Sequence, residues 1–168
     1  MQHQAITQER VGVDPAVFRR VLGQVATSVS IVTGEDEAGP FGVVIGSLVS
    51  ISLEPPLVGL FIDSRSTTLP RLLKCGEVCV NVLSGANAEF CRRFWLEREG
   101  RFQCGGWRLA RGAAPRFKRA LAHIRGRIAQ SRVIGDHHLL VLETDALEDA
   151  AADPAGSPLL FFRGGFVE

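Results

Sequence analysis

Residues 28–62 read SVSIVTGEDEAGPFGVVIGSLVSISLEPPLVGLFI, and this stretch predicts three consecutive β-strands. Valine and isoleucine alternate with small polar residues at 28–33, are dense at 41–52 and return at 57–62. β-Branched residues pack well on a pleated sheet, whereas clusters of glycine, aspartate and proline end strands. The segment GEDEAGP therefore predicts a hairpin turn, and Glu54-Pro55-Pro56 predicts the end of the second strand.

A helix is predicted before these strands, at residues 14–25. Asp14 is placed to cap it, Pro15 takes the first helical position, and apolar residues recur at i, i+3, i+4 and i+7 from Phe18 to Val25. Such an apolar stripe must dock on another surface. Further elements follow in chain order: a short helix capped by Ser66 and ending at Gly76, a strand at 77–83, a helix at 86–96, a loop at 97–116, strands at 120–133 and 138–145 around a turn at 134–137, and a last strand at 159–162.

These elements predict a mainly β protein with peripheral helices. Six or seven strands without regular βαβ alternation favour an antiparallel barrel or sandwich over a doubly wound sheet. The sequence contains neither GxGxxG after a strand nor GxxxxGK[ST], so nucleotide binding of the Rossmann or P-loop type has no support. The length of 168 residues predicts one domain, at 14–168, after a flexible N-terminal segment at 1–13.

Composition excludes several classes of protein. The net charge is +1, and no polybasic block is present to follow a nucleic acid backbone. The longest apolar runs fall far short of the ~20 residues that span a bilayer, and the polar start of the chain fits a cytoplasmic protein. The spacing of Cys75, Cys79, Cys91 and Cys104 matches no common zinc motif. Reduced, packed thiols are therefore favoured over a thiol nucleophile or a metal site.

Three polar segments are candidates for chemistry. Residues 46–52 place the hydroxyls of Ser50 and Ser52 on one strand face, either as donors to a ligand or as a solvated edge. DSRSTT at 63–68 offers hydroxyls, backbone N–H groups and a guanidinium at a helix start, which suits a phosphate or simply caps the helix. His137, at the turn GDHH, is a proton donor, a polar ligand contact or a bystander. No metal ligand set is recognised.

Eight short motifs, taken together and in order, resemble the flavin reductase-like family. They are FRRVLG at 18–23, ATSVSIVT at 26–33, residues 47–57 and 63–69, VNVL at 80–83, RF at 93–94, GDH at 135–137 and RGGF at 163–166. Members of this family are short split-barrel proteins that supply reduced flavin to two-component monooxygenases. The resemblance covers residues 14–166 and implies an FMN-binding, antiparallel split β-barrel that forms a homodimer with the flavin near its interface.

The resemblance also implies an activity and a set of site residues. The activity is NAD(P)H:flavin oxidoreductase, with FMN or FAD reduced by NADH or NADPH and then passed to a flavin-dependent monooxygenase. Because the flavin carries the chemistry, no catalytic acid, base or nucleophile is expected from the chain. The residues that would contact the flavin are Ile45, Gly46, Ser47, Leu48, Ser50, Ile51, Ser52, Asp63, Ser64, Ser66, Thr67 and Phe94. Those that would contact the nicotinamide are Asp136, His137 and Phe166.

This chain departs from the family pattern at two places. Val44-Ile45-Gly46-Ser47 stands where members read Thr-Ala-Asn-Ser or close to it, and Leu48-Val49-Ser50 stands where they read Phe-Thr-Ser. The lost threonine and asparagine side chains leave backbone groups to contact the flavin, which implies weaker binding or an altered choice between FMN and FAD. Two alternatives to flavin reductase stay open: a split barrel that retains its flavin and acts on another small substrate, and a non-catalytic, flavin-binding dimeric module.

Overall fold

A computed structural model describes residues 12–97, 99–103, 105–149 and 156–167. Its helices are α1 (Pro15–Leu22), α2 (Leu69–Leu72) and α3 (Ala88–Leu96), the last preceded by a 3-10 turn at Gly85–Asn87. Its strands are β1 (Thr27–Ser28), β2 (Ser30–Asp36), β3 (Gly39–Ile45), β4 (Val49–Leu53), β5 (Pro56–Asp63), β6 (Val78–Val82), β7 (Trp107–Ala110), β8 (Ala113–Phe117), β9 (Ala122–Ile134), β10 (His137–Asp149), β11 (Leu160–Phe162) and β12 (Gly165–Val167).

Seven of these strands form one antiparallel sheet in the order β3-β2-β6-β9-β10-β5-β4. The sheet curls so that β3 comes back beside β5 without forming a ladder with it, and the barrel therefore stays open on that side. Strands β1, β11 and β12 form a small separate sheet, and β7 pairs with β8 alone. The predicted antiparallel, mainly β fold with peripheral helices is confirmed, and the open barrel agrees with the split form.

Strand β2 separates two hydrophobic cores because its side chains alternate between the faces of the sheet. Val32 faces the barrel interior with Leu60, Leu140 and residues of α2. Ile31, on the opposite face, belongs to a second core with Phe94 of α3 and residues of the β7–β8 hairpin. The aromatic side chains of that second core pack closely, since the rings of Phe90 and Phe117 stack with their centroids 4.1 Å apart. Burial on both faces explains why valine and isoleucine run so densely through this part of the sequence.

Helix α1 begins where the sequence predicts and ends three residues earlier. The Asp14 carboxylate accepts a hydrogen bond of 2.7 Å from the Ala16 amide, which confirms the predicted cap. No residue of α1 is buried, and Phe18 and Val21 remain 56% and 55% exposed. The apolar stripe is therefore not covered by the described part of this chain.

The segment 97–116, which the sequence predicts as a loop, holds β7 and most of β8, so this prediction is wrong. The glycines and the proline of this segment are typical of loops, and they mask the strand pattern of the hairpin in the sequence. The turn of the hairpin lies at Gly112, whose φ is +78°. The buried Asn81 attaches the hairpin to the barrel because its side-chain oxygen accepts from the Phe117 amide at 2.7 Å. Its amide group donates to Ile31 O at 3.0 Å.

Other boundaries also differ from the predicted ones. The predicted strand at 41–52 is broken into β3 and β4 around residues 46–48, and a further strand, β12, follows the predicted last one. The predicted helix from Ser66 to Gly76 is only the four residues of α2, and Thr68, which occupies its N-cap position, makes no capping hydrogen bond with its side chain. The predicted turn at 134–137 is tighter, because His137 and Ile134 are already paired in β10 and β9. Residues 1–11 of the N-terminal segment predicted at 1–13 lie outside the described residues.

Candidate functional site

Three adjacent cavities lie along β3. The serine–histidine cavity, of about 310 Å³, is lined by Val43, Val44, Ile45, Gly46, Ser47, Phe61, Ile62, Asp63, Ser66 and His137. The basic cavity, of about 630 Å³, is lined by residues 40–44, 65–68 and 100–103 together with Arg71 and Trp95. The aromatic cavity, of about 180 Å³, is lined by Val29, Val44, Ile45, Gly46, Trp95, Phe161 and Phe166. Shared lining residues make the three cavities neighbours on one surface.

The serine–histidine cavity lies where β3 and β5 approach without pairing. Ser47 follows β3, and its hydroxyl accepts a hydrogen bond of 2.9 Å from Phe61 N and donates one of 3.1 Å to Phe61 O. The Ser47 side chain thus satisfies both backbone polar groups of Phe61, as a neighbouring strand would do. Because the Ser47 hydroxyl is used in this way, the backbone of residues 45–47, and not that hydroxyl, is the polar surface offered to a ligand.

Gly46 brings the backbone close to β1. A Cβ atom at this position would lie 2.7 Å from Thr27 Oγ1, closer than side-chain carbons approach, and nothing else comes within 3.4 Å. The absence of a side chain therefore allows the chain to pass over Thr27 as it leaves β3. Gly46 lines both the serine–histidine and the aromatic cavities, so the same close approach shapes both.

His137 lies opposite Asp63 because β10 pairs with β5 in a register that places these two residues side by side. Its Nδ1 lies 2.7 Å from the Asp136 carboxylate, and since a carboxylate only accepts, Nδ1 carries the hydrogen of that bond. The bond from His137 holds the pKa of Asp136 below its usual value. The turn is tied to the segment after β5 by a bond of 2.9 Å from Ser64 N to Asp136 O.

Arg65 and Asp63 form an ion pair beside His137. The guanidinium donates to the carboxylate at 2.8 Å, and the Arg65 amide donates to the same group at 2.8 Å. The side-chain bond from Arg65 is the main reason that the pKa of Asp63 lies far below its usual value. The carboxylate is therefore charged throughout the neutral pH range, and it fixes the loop that leads to Ser66.

The hydroxyl of Ser66 is positioned by a turn and not by a helix. Ser66 N donates to Asp63 O at 2.9 Å, and Ser66 Oγ accepts from Thr68 N at 3.3 Å. The hydroxyl hydrogen is not used in that bond. Because α2 is only four residues long, the predicted dipole of a helix start at Ser66 is absent, and an anion here would rely on hydroxyl groups and the arginines nearby.

Arginines and aromatic residues surround the basic cavity. The Arg71 guanidinium lies 4.2 Å from the centre of the Phe41 ring and donates to Gly39 O at 2.9 Å and to Asp36 at 2.6 Å. Arg101 donates to Glu97 O at 2.7 Å and lies over the Phe94 ring. Both guanidinium groups are thus held in fixed positions.

The structure brings six of the predicted flavin or nicotinamide residues to the serine–histidine cavity: Ile45, Gly46, Ser47, Asp63, Ser66 and His137. Thr67 lines the basic cavity and Phe166 the aromatic one. The remaining predicted residues line none of the three cavities: Leu48, Ser50, Ile51, Ser52, Ser64, Phe94 and Asp136. Phe94 is 3% exposed and lies in the second core, whereas Ser50, Ile51 and Ser52 lie on β4, an edge strand of the barrel sheet.

Sequence reasoning missed Trp95, Arg71 and Arg101. Trp95 is 56% exposed and lines both the basic and the aromatic cavities. Helical spacing contained the signal for it, because the buried positions of α3, at 88, 91 and 94, recur every three residues and leave residue 95 on a different face. No comparable signal exists for Arg71 and Arg101, since the fold alone brings them to one cavity.

Cys79 and Cys91 are buried and unpaired, and burial raises the pKa of each thiol to about 12. Burial also raises the pKa of the half-buried Cys75 to about 11. The predicted packing role is confirmed for these three thiols, while Cys104 lies outside the described residues. Within the described ranges, no three His, Cys, Asp or Glu side chains are close enough to hold a metal ion, and no helix is long and apolar enough to cross a membrane.

This chain is similar in sequence and in fold to known flavin reductases. Residues 22–168 match the family model described as flavin reductase like domain. A flavin reductase of Pseudomonas putida is 37% identical over 94% of this chain and 91% of its own length. The 4-hydroxyphenylacetate 3-monooxygenase reductase component of Pseudomonas aeruginosa is 33% identical over 89% and 88%. An NADH:FAD oxidoreductase of Streptomyces globisporus, solved with NAD and FAD fragments, superposes with a TM-score of 0.84 and 29% identity over 95% of this chain and 96% of that one.

Proposed function

This chain belongs to the flavin reductase-like domain family, and we propose that it transfers hydride from NADH or NADPH to a flavin in the serine–histidine cavity. One observation supports this placement: residues that the resemblance implies for the flavin and for the nicotinamide meet around one cavity. Ile45 and Gly46, Ser66, and His137 come from three separate segments of the chain. Neither their residue types nor their spacing in the sequence requires that meeting.

The cavity is suited to a flavin in its size and in its donors. Its volume and that of the adjoining basic cavity lie in the range of about 300–1,000 Å³ that is usual for small-molecule sites. Gly46 lines this cavity with backbone alone, and the space in which its Cβ atom would lie is taken by the Thr27 side chain. The hydroxyls of Ser66 and Thr67 would hold the phosphate end, and the backbone of residues 45–47 would face the ring system.

The flavin, when bound, supplies the hydride acceptor, and the chain supplies position. His137 would contact the nicotinamide. Its Nδ1–H is held by Asp136, which leaves Nε2 directed away from that carboxylate and available to a ligand. The Asp63 carboxylate accepts hydrogen bonds from the Arg65 amide and guanidinium, which orders the turn that leads from β5 to Ser66. The chain therefore orients two planar groups without a side chain acting as acid, base or nucleophile.

We further propose that the reduced flavin leaves for a flavin-dependent monooxygenase, as the name of the Pseudomonas aeruginosa relative indicates for that protein. The open side of the barrel supports this proposal, because β3 is an edge strand and β4 pairs with β5 only at residues 56–59, so the cavity lies beside strand segments that no ladder covers. A cytoplasmic location, where nicotinamide dinucleotides are available, agrees with the free thiols of the described cysteines.

We also propose a homodimer. The apolar side chains of α1 and β4 are uncovered in the single chain, with Phe18, Val21, Val49 and Ile51 between 46% and 56% exposed. Burial of apolar surface of this kind stabilises an association between copies. Light scattering is expected to report a dimer, whereas a monomer that still binds flavin tightly would contradict this assembly.

Steady-state oxidation of NADH and NADPH, measured with FMN, FAD and riboflavin, tests the activity. Turnover with at least one pairing is expected, and product flavin should be found free in solution. Absence of turnover with every pairing would favour a non-catalytic flavin-binding module, whereas turnover with flavin that never leaves the protein would favour an enzyme acting on another small substrate.

Replacing both Ser66 and Thr67 with alanine tests the phosphate end. Flavin binding is expected to weaken by ~1–3 kcal/mol, since hydrogen bonds to a charged group are worth about that much. Riboflavin, which has no phosphate, is the control and should bind both proteins equally. An unchanged dissociation constant for FMN would remove this segment from the site.

A further inference from the structure

We propose that Thr27 is a positioning residue for the flavin, because its side chain sets the path of the backbone at Gly46. The proposal rests on the proposed function, in which the backbone of residues 45–47 faces the ring system. Thr27 itself lines none of the three cavities, whereas Gly46 lines two of them. Thr27 therefore acts on a ligand through Gly46 and not by direct contact.

The backbone is fixed on both sides of Gly46. Before it, Ile45 is the last residue of β3 and pairs with Ser30 of β2. After it, the Ser47 hydroxyl bonds to both backbone polar groups of Phe61. Gly46 lies between these two fixed points, in an exposed bend that belongs to no strand. Its exact position therefore depends on the group against which it packs.

The Thr27 side chain occupies the space in which a side chain at position 46 would lie. A Cβ atom at Gly46 would be 2.7 Å from Thr27 Oγ1, whereas the next atoms, Thr27 Cβ and Ser28 O, are 3.6 Å and 3.9 Å away. A distance of 2.7 Å is closer than side-chain carbons approach, but 3.6 Å is an ordinary van der Waals contact. Thr27 Oγ1 is therefore the atom that excludes a larger residue from position 46.

Thr27 is held firmly enough to support this bend. It pairs with Phe161 in the ladder between β1 and β11. Two residues further on, Val29 N donates to Leu159 O at 2.9 Å, and Val29 O accepts from Leu83 N at 3.1 Å. Threonine is branched at Cβ, which restricts the rotation of its side chain. The Thr27 hydroxyl makes no hydrogen bond within the described ranges, so the side chain acts by its shape.

The backbone conformation of Gly46 does not itself require glycine. Gly46 is not among the glycines that have a positive φ. Alanine is therefore compatible with the backbone at this position, and the contact with Thr27 is the obstacle to it. Exchanging the two side chains separates this steric effect from backbone strain.

Titration of the intact protein with FMN, followed by quenching of flavin fluorescence, measures the effect on the ligand. Gly46→Ala should raise the dissociation constant at least about fivefold, because the new Cβ atom displaces the backbone and weakens a hydrogen bond to the ring system. Thr27→Ala should have a smaller effect, since it removes the support without displacing the backbone. Gly76→Ala is the matched control, because Gly76 is also exposed, has no positive φ and has no atom within 4 Å of its Cβ position.

The double variant Thr27→Ala/Gly46→Ala is the decisive one. With Oγ1 removed, the new Cβ atom at position 46 meets the Cβ atom of residue 27 at 3.6 Å, which is an ordinary contact. The two changes should compensate each other, as neighbouring sites can, and FMN should bind within about twofold of the wild-type affinity. Thr27→Val/Gly46→Ala is the control, because valine keeps both branches at Cβ and should leave binding as weak as in Gly46→Ala alone.

Two further measurements separate positioning from folding. The visible absorption band of bound FMN, which reports the surroundings of the ring system, should change in Gly46→Ala and return in the double alanine variant. Urea denaturation without flavin gives the stability of each variant. Rescue of the urea midpoint without rescue of FMN binding and of the absorption band would show a purely structural contact and overturn the proposal.

The remaining outcomes are equally distinct. An unchanged dissociation constant for Gly46→Ala, a double alanine variant that binds FMN as weakly as Gly46→Ala, or rescue by the valine variant would each overturn the proposal. If the wild-type protein binds FMN normally and the rescue fails, this inference alone is overturned. If the wild-type protein binds no flavin, the proposed function is overturned.

Discussion

Removing the Ser47 hydroxyl should loosen the open side of the barrel. This hydroxyl bonds to both backbone polar groups of Phe61, at 2.9 Å and 3.1 Å, and so joins the end of β3 to β5 where no ladder exists. Each bond contributes ~0.5–1.5 kcal/mol net, which gives about 1–3 kcal/mol for the pair. Phe61 is 36% exposed, so water replaces part of the loss. We therefore expect Ser47→Ala to lower the free energy of unfolding by about 1–2 kcal/mol.

Urea denaturation measures this loss. With a slope of about 2 kcal/mol per molar urea, the midpoint should fall by about 0.5–1 M while the slope stays unchanged. Ser50→Ala is the control, because Ser50 is exposed on β4 and its hydroxyl makes no hydrogen bond within the described ranges, and its effect should stay below about 0.5 kcal/mol. Ser47→Thr retains the hydroxyl and should remain close to the wild-type protein.

The same variant should also affect the ligand site. Because Ser47 lines the serine–histidine cavity, a looser β3–β5 edge should raise the dissociation constant for FMN together with the loss of stability. A change in stability for Ser47→Ala no larger than that for Ser50→Ala would refute the reasoning that this side chain closes the barrel.

Three further changes have distinct expected results. His137→Ala should raise the Michaelis constant for NAD(P)H about five- to thirtyfold, with a smaller effect on flavin affinity, whereas equal effects from His138→Ala would make this turn structural. Asp36→Asn should destabilise the protein at pH 7 in urea denaturation, because the hydrogen bond from Arg71 holds the pKa of Asp36 below its usual value. The difference in unfolding free energy between variant and wild type should shrink as the pH falls below about 4, and a difference independent of pH would contradict this. In a background that carries Cys75→Ser and Cys104→Ser, Cys79 and Cys91 should resist a disulfide reagent at pH 8 until the protein unfolds, since burial raises the pKa of both thiols to about 12. Rapid labelling of the native protein would show that these two thiols are accessible.

The barrel strands could be predicted because their residues are buried on one or both faces. The valine and isoleucine residues of β2, β3 and β6 are mostly buried, and the predicted strand at 77–83 corresponds to β6 within one residue at each end. The β7–β8 hairpin could not be predicted in the same way. Its attachment depends on Asn81, a buried side chain that bonds to Phe117 36 residues away, and this contact leaves no periodic signal in the sequence.

The candidate site also has a part that could be predicted from the sequence and a part that could not. The segments that the resemblance selects lie around the serine–histidine cavity, and each has local chemistry of its own: the bend at Gly46, the hydroxyls at 66–67 and the turn at 135–137. On α3 the resemblance selects Phe94, which is buried in the second core, whereas its neighbour Trp95 lines two of the cavities. Successive helical residues point about 100° apart, so a motif of two residues does not indicate which one is accessible.

A crystal structure of the protein with FMN bound tests the central claim most directly. We expect the phosphate within hydrogen-bond distance of the Ser66 and Thr67 hydroxyls, and the ring system between the backbone of residues 45–47 and His137. Flavin bound at a site that excludes the serine–histidine cavity would contradict the account.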